Sequence, residues 1–479
     1  MLTEENVREI WDSKVKSTFD QYLKIKNVSP AYSPTWKEDG YMDEAINLFE
    51  EWAKQNAPDG STVFIQNIEG KTPLLVIDIP SNSDASTDTV LLYGHIDKQP
   101  EMVGWREGID PWSPTYIDDR LYARGSADDG YAMFSSIIAV NEIVNSGIIH
   151  QRMLIVIEAS EESGSPDLPS HLEVLNEKLI KNKCEPMLDV SLVVCLDSGA
   201  LTYDHLWITN SLRGLIEIKL TIKTLNQGTH SGGAGGIVPS TTNILRTLLD
   251  RISESPSGEI ILKELHVEIP DHIEDAAVNV GEILKNVEAH GLPFANNVKP
   301  LDVKVSDQLI ANTYKPSLEI IGIDGIPSTA KAGNVLLPEI TVALSFRIPP
   351  GVDPEIAAGV IVGELNRETP YDANVSVQVV SMANGWEAPQ RTKVFTESIN
   401  QASLKHFGKP SQYMGEGGTI PFMYMLGEKY ANAQFLVTGL LGPESNAHGP
   451  NEFLHLPTLY KLTACVSDIL LHQMSDLNT

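Results

Sequence analysis

The stretch "MLIVIEASEESGS", residues 153–165, joins an apolar run to two adjacent glutamates, Glu161 and Glu162. Consecutive apolar residues without polar alternation are typical of a strand that is buried on both faces, as in parallel sheets. Similar runs occur at 73–79, 89–93 and 190–196, and a helical stretch at 132–144 stops at Gly147. We therefore predict an α/β fold with a mostly parallel, mixed sheet that helices cover on both faces.

The pattern changes after about residue 207. Apolar and polar residues alternate strictly at 216–223, and again at 340–348 and 375–379, so these strands have one exposed face. Helices begin near 239–240 and near 353–354, which gives two β-α-β arrangements typical of a ferredoxin-like α+β domain.

The buried-sheet pattern returns at 434–438. We therefore expect a first domain formed by residues 1–206 and 388–479. A ferredoxin-like domain at 207–387 is then inserted into it.

Composition limits the class of partner. The chain has 479 residues, and its 64 acidic side chains against 35 basic ones give a net charge of -29, which disfavours nucleic acid and anionic membrane surfaces. Residues 1–27 predict an amphipathic helix and not a signal peptide, and no apolar run is long enough to span a membrane. Three cysteines are too few for a disulfide framework, so we expect a cytoplasmic protein.

Acidic side chains and one histidine follow the predicted strands at regular intervals. His95, Asp128, Glu162 and Asp197 are separated by 33, 34 and 35 residues, each about the length of one strand with its crossover. Such units return to the same carboxyl edge of a parallel sheet, where α/β folds bind ligands. Taken singly, each has an ordinary explanation: a structural histidine, a helix N-cap or a turn residue.

His448 lies on a loop after the strand predicted at 434–438, at what could be the same edge. Histidine and carboxylate ligands without a thiolate suit zinc first, and manganese or cobalt as alternatives. Five ligands are too many for one tetrahedral zinc that keeps an open position. Two metal ions that share one carboxylate would account for the excess. No His-Glu-x-x-His, Cys-x-x-Cys, phosphate-binding loop or Gly-x-Ser-x-Gly motif is present.

These motifs together resemble the metallopeptidase family that includes carnosinase-type cytosolic dipeptidases, carboxypeptidases and aminoacylases. The resemblance runs from about residue 30 to the C-terminus, with five separated motifs in the family's order. It implies that Asp128 bridges two metal ions, that His95 and Asp197 complete one site, and that Glu162 and His448 complete the other. Asp97 would orient His95, and Glu161 would be the general base for the metal-bridging water. The resemblance also implies a cis bond between Asp128 and Asp129.

The same resemblance implies a set of substrate-binding residues. His230, in "GTHSGGAGG", would reach the scissile carbonyl, and in dimeric members of the family it does so from the neighbouring subunit. The resemblance therefore implies a homodimer formed through the domain at 207–387, which acts as the lid of the site. Asn334 and Arg347 would also contact the substrate, and the guanidinium of Arg347 suits a substrate carboxylate. The turn formed by Gly417, Gly418 and Thr419 would hold the same carboxylate with its free backbone amides.

The chain departs from carnosinase-like sequences at three places. It reads Gly130 where those sequences usually have Lys, Gly415 where they have Arg, and Thr419 where they have Ser. Metal binding does not depend on the missing lysine, but both changes near the Gly-Gly turn affect substrate preference.

The function that we expect is two-metal hydrolysis of dipeptides or short peptides with a free C-terminal carboxylate. An N-acyl amino acid deacylase would share the metal site. A catalytically silent metal-binding protein and a dimeric scaffold are further alternatives, although a metal binder has no need of the base Glu161.

Overall fold

The computed structural model describes residues 1–83, 88–285, 292, 294–302 and 304–475. Its largest sheet has six strands in the order β1-β2-β6-β3-β7-β17. The pairs β6–β3, β3–β7 and β7–β17 are parallel and the other two are antiparallel, so the predicted mostly parallel, mixed sheet is confirmed. The strands are β1 (Thr62–Gln66), β2 (Leu74–Ile79), β3 (Asp88–His95), β6 (Arg152–Glu158), β7 (Asp189–Cys195) and β17 (Gln434–Val437).

Helices cover both faces of this sheet. Alternate residues of each buried strand face opposite cores, so Leu92 and Ile155 pack on one side and Leu91 and Leu154 on the other. The first core is completed by α1 (Glu4–Ile10), α2 (Lys16–Tyr22), α4 (Tyr41–Asn56), α5 (Ala132–Ser146), α12 (Lys393–His406) and α14 (Leu456–Ser475). The second core is completed by α6 (Leu168–Lys181) and α13 (Pro421–Lys429). The predicted helix at 132–144 is thus α5, and Gly147 ends it with φ of +72°.

A second sheet contains the strictly alternating strands. Its order is β11-β13-β9-β14, and all its pairs are antiparallel. The strands are β9 (Gly214–Lys223), β11 (Ser317–Asp324), β13 (Glu339–Ile348) and β14 (Asn374–Ala383). One face packs on α8 (Thr241–Leu249) and on α11 (Pro354–Asn366). Asp353 caps α11 by accepting hydrogen bonds from two free amides, and Pro354 occupies its first turn.

The order of these elements is β-α-β-β-α-β, which confirms the ferredoxin-like prediction. The edge strand β11 was not predicted. Its residues are mostly exposed and do not alternate, so periodicity gives no signal there.

Smaller elements connect the two sheets. Strands β8 (Trp207–Leu212) and β15 (Trp386–Glu387) pair with each other, and β8 also pairs with β16 (Gln412–Glu416). Helices α9 (Asp271–Leu284) and α10 (Val305–Tyr314) lie against β16. The remaining elements are β4 (Thr115–Ile117), β5 (Arg120–Tyr122), β10 (Thr229–His230), β12 (Val335–Leu336), β18 (Phe453–His455), α3 (Trp36–Asp39) and α7 (Ser231–Ala234). The domain boundaries at 207 and 387 remain a prediction.

The N-terminal amphipathic helix is present as α1 and α2, joined by a π-helical turn at Trp11–Val15. Val7, Trp11, Phe19 and Tyr22 are buried on its inner face. Among the described residues, no helix is long and apolar enough to cross a membrane. The three cysteines are free thiols.

Candidate metal centre

Parallel pairing brings the predicted ligands to one edge of the large sheet. β3 ends at His95, β6 ends three residues before Glu161, and β7 ends two residues before Asp197. Asp128 lies in the turn between β5 and α5. Its peptide bond to Asp129 is cis, as the resemblance implies.

Asp128 lies between two histidines. Its Oδ1 is 3.2 Å from His95 Nε2, and its Oδ2 is 3.0 Å from His448 Nε2. His95 Nε2 is also 3.7 Å from Asp197 Oδ2, and His448 Nε2 is 3.2 Å from Glu162 Oε2. The structure therefore brings together all five predicted ligands, with Asp128 at the shared position. We call His95, Asp128, Glu162, Asp197 and His448 the metal cluster.

The electrostatics of the cluster reflect closely packed acids. Burial, together with Asp128 and Glu162, raises the pKa of Asp197 to about 8, although His95 opposes the shift. Partial desolvation lowers the pKa of His448, whose side chain is 56% exposed, but hydrogen bonds to Asp128 and Glu162 outweigh this and raise the pKa to about 12. Protons on these groups reduce the repulsion between the neighbouring carboxylates, and a bound dication would replace those protons.

Two overlapping sets of side chains could hold metal ions. The potential ligand atoms of His95, Asp128 and Glu162 lie within 4.8 Å of one another, and so do those of His95, Glu161 and Asp197. The donors are imidazole nitrogens and carboxylate oxygens without thiolate, which fits zinc or manganese. Glu161 thus lies beside the ligand atoms, within reach of a group bound there. Burial and Asp197 raise its pKa well above the usual range.

Asp97 contacts both glutamates as well as His95. Its Oδ1 accepts a hydrogen bond from the backbone amide of Glu161, and its Oδ2 accepts one from that of Glu162, both at 3.1 Å. His95 Nδ1 lies 3.1 Å from the backbone carbonyl oxygen of Asp97 and 3.5 Å from its Oδ1, so the orienting role of Asp97 remains a prediction. The hydroxyl of Ser29 donates to Asp97 Oδ2 at 2.6 Å. Ser29 could not be predicted from the sequence, because the contact joins residues 68 positions apart.

A buried ion pair, also not predicted from the sequence, supports the Asp128 turn. Arg124 Nη1 lies 2.6 Å from Glu452 Oε2, and both side chains are almost fully buried. Glu452 Oε1 accepts hydrogen bonds from the amides of Ala127 and Asp128 at 3.1 and 3.3 Å. Arg124 Nη2 donates to the carbonyl of Gly449, next to His448. One ion pair therefore connects the loops that carry Asp128 and His448.

The predicted substrate-binding residues separate into two groups. Arg347 Nη1 donates to Thr419 Oγ1 at 2.7 Å, and Thr419 in turn donates to the carbonyl of Arg213. Arg213 Nε donates to the carbonyl of Gly417 at 3.1 Å. Gly418, the next residue of this turn, is exposed. Arg213 was not predicted, since a lone arginine at a strand end is ordinarily a surface residue.

Neither Arg213 nor Arg347 forms an ion pair with a carboxylate of the described residues. Burial, and then the charge of Arg347, lower the pKa of Arg213 to about 10. At Gly415, a Cβ atom would lie 2.5 Å from Ser211 Oγ and 3.0 Å from Thr313. Ser211 of β8 and Thr313 of α10 therefore occupy the space beside Gly415, where carnosinase-like sequences usually carry an arginine.

His230 and Asn334 form the second group. Both are exposed, and the backbone amide of Ser231 donates to the carbonyl of Asn334 at 2.9 Å beside the β10–β12 pair. Within the described part of the chain, neither side chain hydrogen-bonds to the metal cluster. The structure therefore does not bring His230 or Asn334 to the cluster of their own chain.

Comparisons with known proteins identify the family of this chain. Residues 91–472 match Peptidase family M20/M25/M40. Cysteinylglycine-S-conjugate dipeptidase of Corynebacterium striatum is 23% identical over 384 residues, which cover 76% of each chain. Beta-Ala-His dipeptidase of Homo sapiens is 25% identical over 403 residues, 83% of this chain and 76% of the relative.

Two solved structures share the fold over 98% of both chains at 20% identity. They are human carnosine dipeptidase 1, with a TM-score of 0.77, and the di-peptidase Dug1p of Saccharomyces cerevisiae, with a TM-score of 0.78. The family match spans most of the chain and includes every residue of the metal cluster. The chain belongs to Peptidase family M20/M25/M40 and is a metallopeptidase.

Proposed function

We propose that this protein hydrolyses the peptide bond of dipeptides and short peptides that have a free C-terminal carboxylate, using two divalent metal ions. The observation that carries the proposal is the position of Asp128, with one carboxylate oxygen near His95 and the other near His448. A carboxylate shared in this way is the usual bridge of a two-metal site. The relatives named as dipeptidases support the substrate class.

The fit between site and metal rests on donor chemistry. His95 and Asp197 would hold one ion and Glu162 and His448 the other, with Asp128 between them, and zinc is our first choice before manganese or cobalt. When bound, such ions supply Lewis acidity at the scissile carbonyl and lower the pKa of water. Asp97 orients His95 and thereby fixes which ring nitrogen faces the site.

Glu161 is the proposed general base. It would take a proton from the attacking water and deliver it to the nitrogen of the leaving amine, which couples both proton transfers to one side chain. Arg347, with Thr419 beside it, would bind the substrate carboxylate, because its guanidinium forms no ion pair within the described chain.

The test is a panel of dipeptides and N-acetyl amino acids, with release of free amine as the readout and with metal content measured on the same preparation. We expect the dipeptides to be cleaved and about two metal ions to be bound per chain. Turnover of acetylated substrates alone would instead indicate a deacylase. Protein isolated without chelator and free of metal would favour a scaffold.

We also propose that residues 207–387 form a lid through which two chains dimerise, and that His230 completes the site of the partner. The support is that His230 is exposed, and that the edge strand β11 presents Ile320, Ile321 and Ile323 to solvent. Mixing His230→Ala with Glu161→Gln protein tests this. Random exchange makes about half of the dimers mixed, and one of the two sites in each mixed dimer is intact. The mixture should therefore regain about a quarter of the wild-type rate. No recovery of activity in a confirmed mixed dimer would contradict this proposal.

A cytoplasmic location, which the three free thiols support, is part of the proposal.

A further inference from the structure

Glu416, at the end of β16, has two carboxylate oxygens in different surroundings. Oε1 accepts three hydrogen bonds, from Ser198 Oγ at 2.5 Å, from the Gly199 amide at 2.7 Å and from Thr209 Oγ1 at 2.9 Å. These contacts fix the carboxylate against the loop that follows Asp197. Oε1 therefore has a structural role.

Oε2 has no hydrogen-bonding partner among the described residues, and no cationic side chain there forms an ion pair with Glu416. The side chain is half-buried and lines a cavity of about 540 Å³ together with Gly199, Arg213 and Gly417. A half-buried carboxylate without a counter-ion is unfavourable unless a cation or water reaches it. A cationic group of a ligand that contacts Oε2 would therefore gain an ion pair there, although Arg213 and Lys299 also line the cavity.

The position of Glu416 relates this oxygen to the proposed reaction. On one side, Gly199 is two residues after Asp197 of the metal cluster. On the other side, the turn from Gly417 leads to Thr419, which contacts Arg347. The Cα atoms of Glu416 and Thr419 are three residue steps apart and can be separated by at most about 10–11 Å, whereas a dipeptide extends over about 7 Å. This limit on the length of the segment allows one dipeptide to contact both Glu416 and the residues at Thr419.

We propose that Glu416 Oε2 binds the free α-ammonium group of the substrate, so that the enzyme selects dipeptides over N-acylated amino acids. The inference rests on the proposed function and identifies the residue that distinguishes its two candidate substrate classes. A dipeptide ammonium must lie close to the cationic metal ions, and a nearby carboxylate offsets that repulsion. An acyl group has no charge and gains nothing from it.

The test compares Gly-Gly with N-propionylglycine, in which a methyl group replaces the ammonium. Wild-type enzyme should show a higher kcat/KM for Gly-Gly. Glu416→Gln keeps a carbonyl oxygen for the three donors but replaces Oε2 with an amide nitrogen, which cannot bind a cation. We expect this variant to lower the Gly-Gly preference about 10- to 100-fold, the range of a charge-assisted contact.

Thr209→Val is the matched control, because it removes one donor to Oε1 and leaves Oε2 unchanged. It should change the rates for both substrates by the same factor. Metal content and thermal unfolding show whether each variant is folded. An equal loss on both substrates in Glu416→Gln would overturn the inference and leave the proposed peptidase function intact. Equal kcat/KM values for Gly-Gly and N-propionylglycine in the wild-type enzyme would also overturn the inference, and that comparison requires no variant. N-Propionylglycine cleaved in preference to Gly-Gly by the wild type would instead overturn the peptidase assignment.

Discussion

Asp97 Oδ1 accepts a hydrogen bond from the backbone amide of Glu161 at 3.1 Å. The same side chain lies beside the ring of His95 and holds the amide of Glu162. One carboxylate therefore lies beside a residue of the metal cluster and also holds the backbone amides of both adjacent glutamates. This explains how two adjacent glutamates can be held at one site and serve different purposes.

Asp97→Asn should reduce kcat about 10- to 100-fold and weaken metal binding. An amide has one acceptor oxygen, so at least one of the donors to Asp97 is left facing an NH₂ group. The measurement is kcat at saturating metal together with a metal titration. Ser29→Ala is the control, since it removes a single donor to Oδ2 and should have a smaller effect. Wild-type kcat in Asp97→Asn would contradict the positioning role.

Glu161→Gln should lower kcat by about 10²- to 10⁴-fold while about two metal ions remain bound. Glutamine has nearly the same shape but cannot accept the proton. Elemental analysis and steady-state rates on one preparation check both parts. Glu162→Gln is the comparison, because its side chain contacts His448 and its loss should also reduce metal content. If the Glu161 variant turned over normally, another group would have to act as the base.

Metal affinity should increase with pH. In the metal-free protein His448 has a pKa of about 12 and Asp197 one of about 8, so both hold protons at neutral pH that a metal ion must displace. Because the raised pKa values favour the protonated forms, acid strengthens the competition and alkali relieves it. Each displaced proton changes the apparent affinity by up to about tenfold per pH unit.

Calorimetric titration of the metal-free protein, in two buffers of different ionisation enthalpy, measures this proton release. We expect at least one proton to be released per chain at pH 7. A binding enthalpy independent of buffer, with an affinity independent of pH, would show that these ligands are already deprotonated.

Arg347→Lys should raise KM for Gly-Gly about tenfold and leave Gly-Gly amide nearly unaffected. Lysine keeps the charge but cannot form the planar, two-point contact that a guanidinium makes with a carboxylate. The ratio of kcat/KM for acid and amide substrates is the readout. Thr419→Val, which removes the hydroxyl next to Arg347, should move the ratio in the same direction. An equal loss on both substrates would place Arg347 outside the carboxylate site.

The large sheet and the metal cluster could be predicted because local signals specify them. Apolar runs identify buried strands, and parallel strands bring their ends to one edge, so His95, Glu162 and Asp197 converge without knowledge of the loops. Strand β11 escaped prediction because its exposed residues lack alternation.

The supporting contacts could not be predicted for a different reason. Ser29 with Asp97 and Arg124 with Glu452 join residues 68 and 328 positions apart. No periodicity within either segment indicates such a pairing, since it depends on how the loops pack.

The buried pair Arg124–Glu452 should contribute both to the stability of the protein and to its metal affinity. Glu452→Gln should lower the free energy of unfolding of the metal-free protein by about 3 kcal/mol, because it leaves the buried Arg124 without its counter-charge. It should also weaken metal binding, since Glu452 holds the amide of Asp128 and Arg124 holds the carbonyl next to His448. Urea unfolding and metal titration measure the two effects.

Glu444→Gln is the matched control. Glu444 pairs with Arg120 at 3.1 Å but is 64% exposed. Loss of this pair should therefore lower the free energy of unfolding by less than about 1 kcal/mol and leave metal affinity unchanged. Equal effects of the two variants would mean that burial of the Arg124 pair contributes nothing to the site.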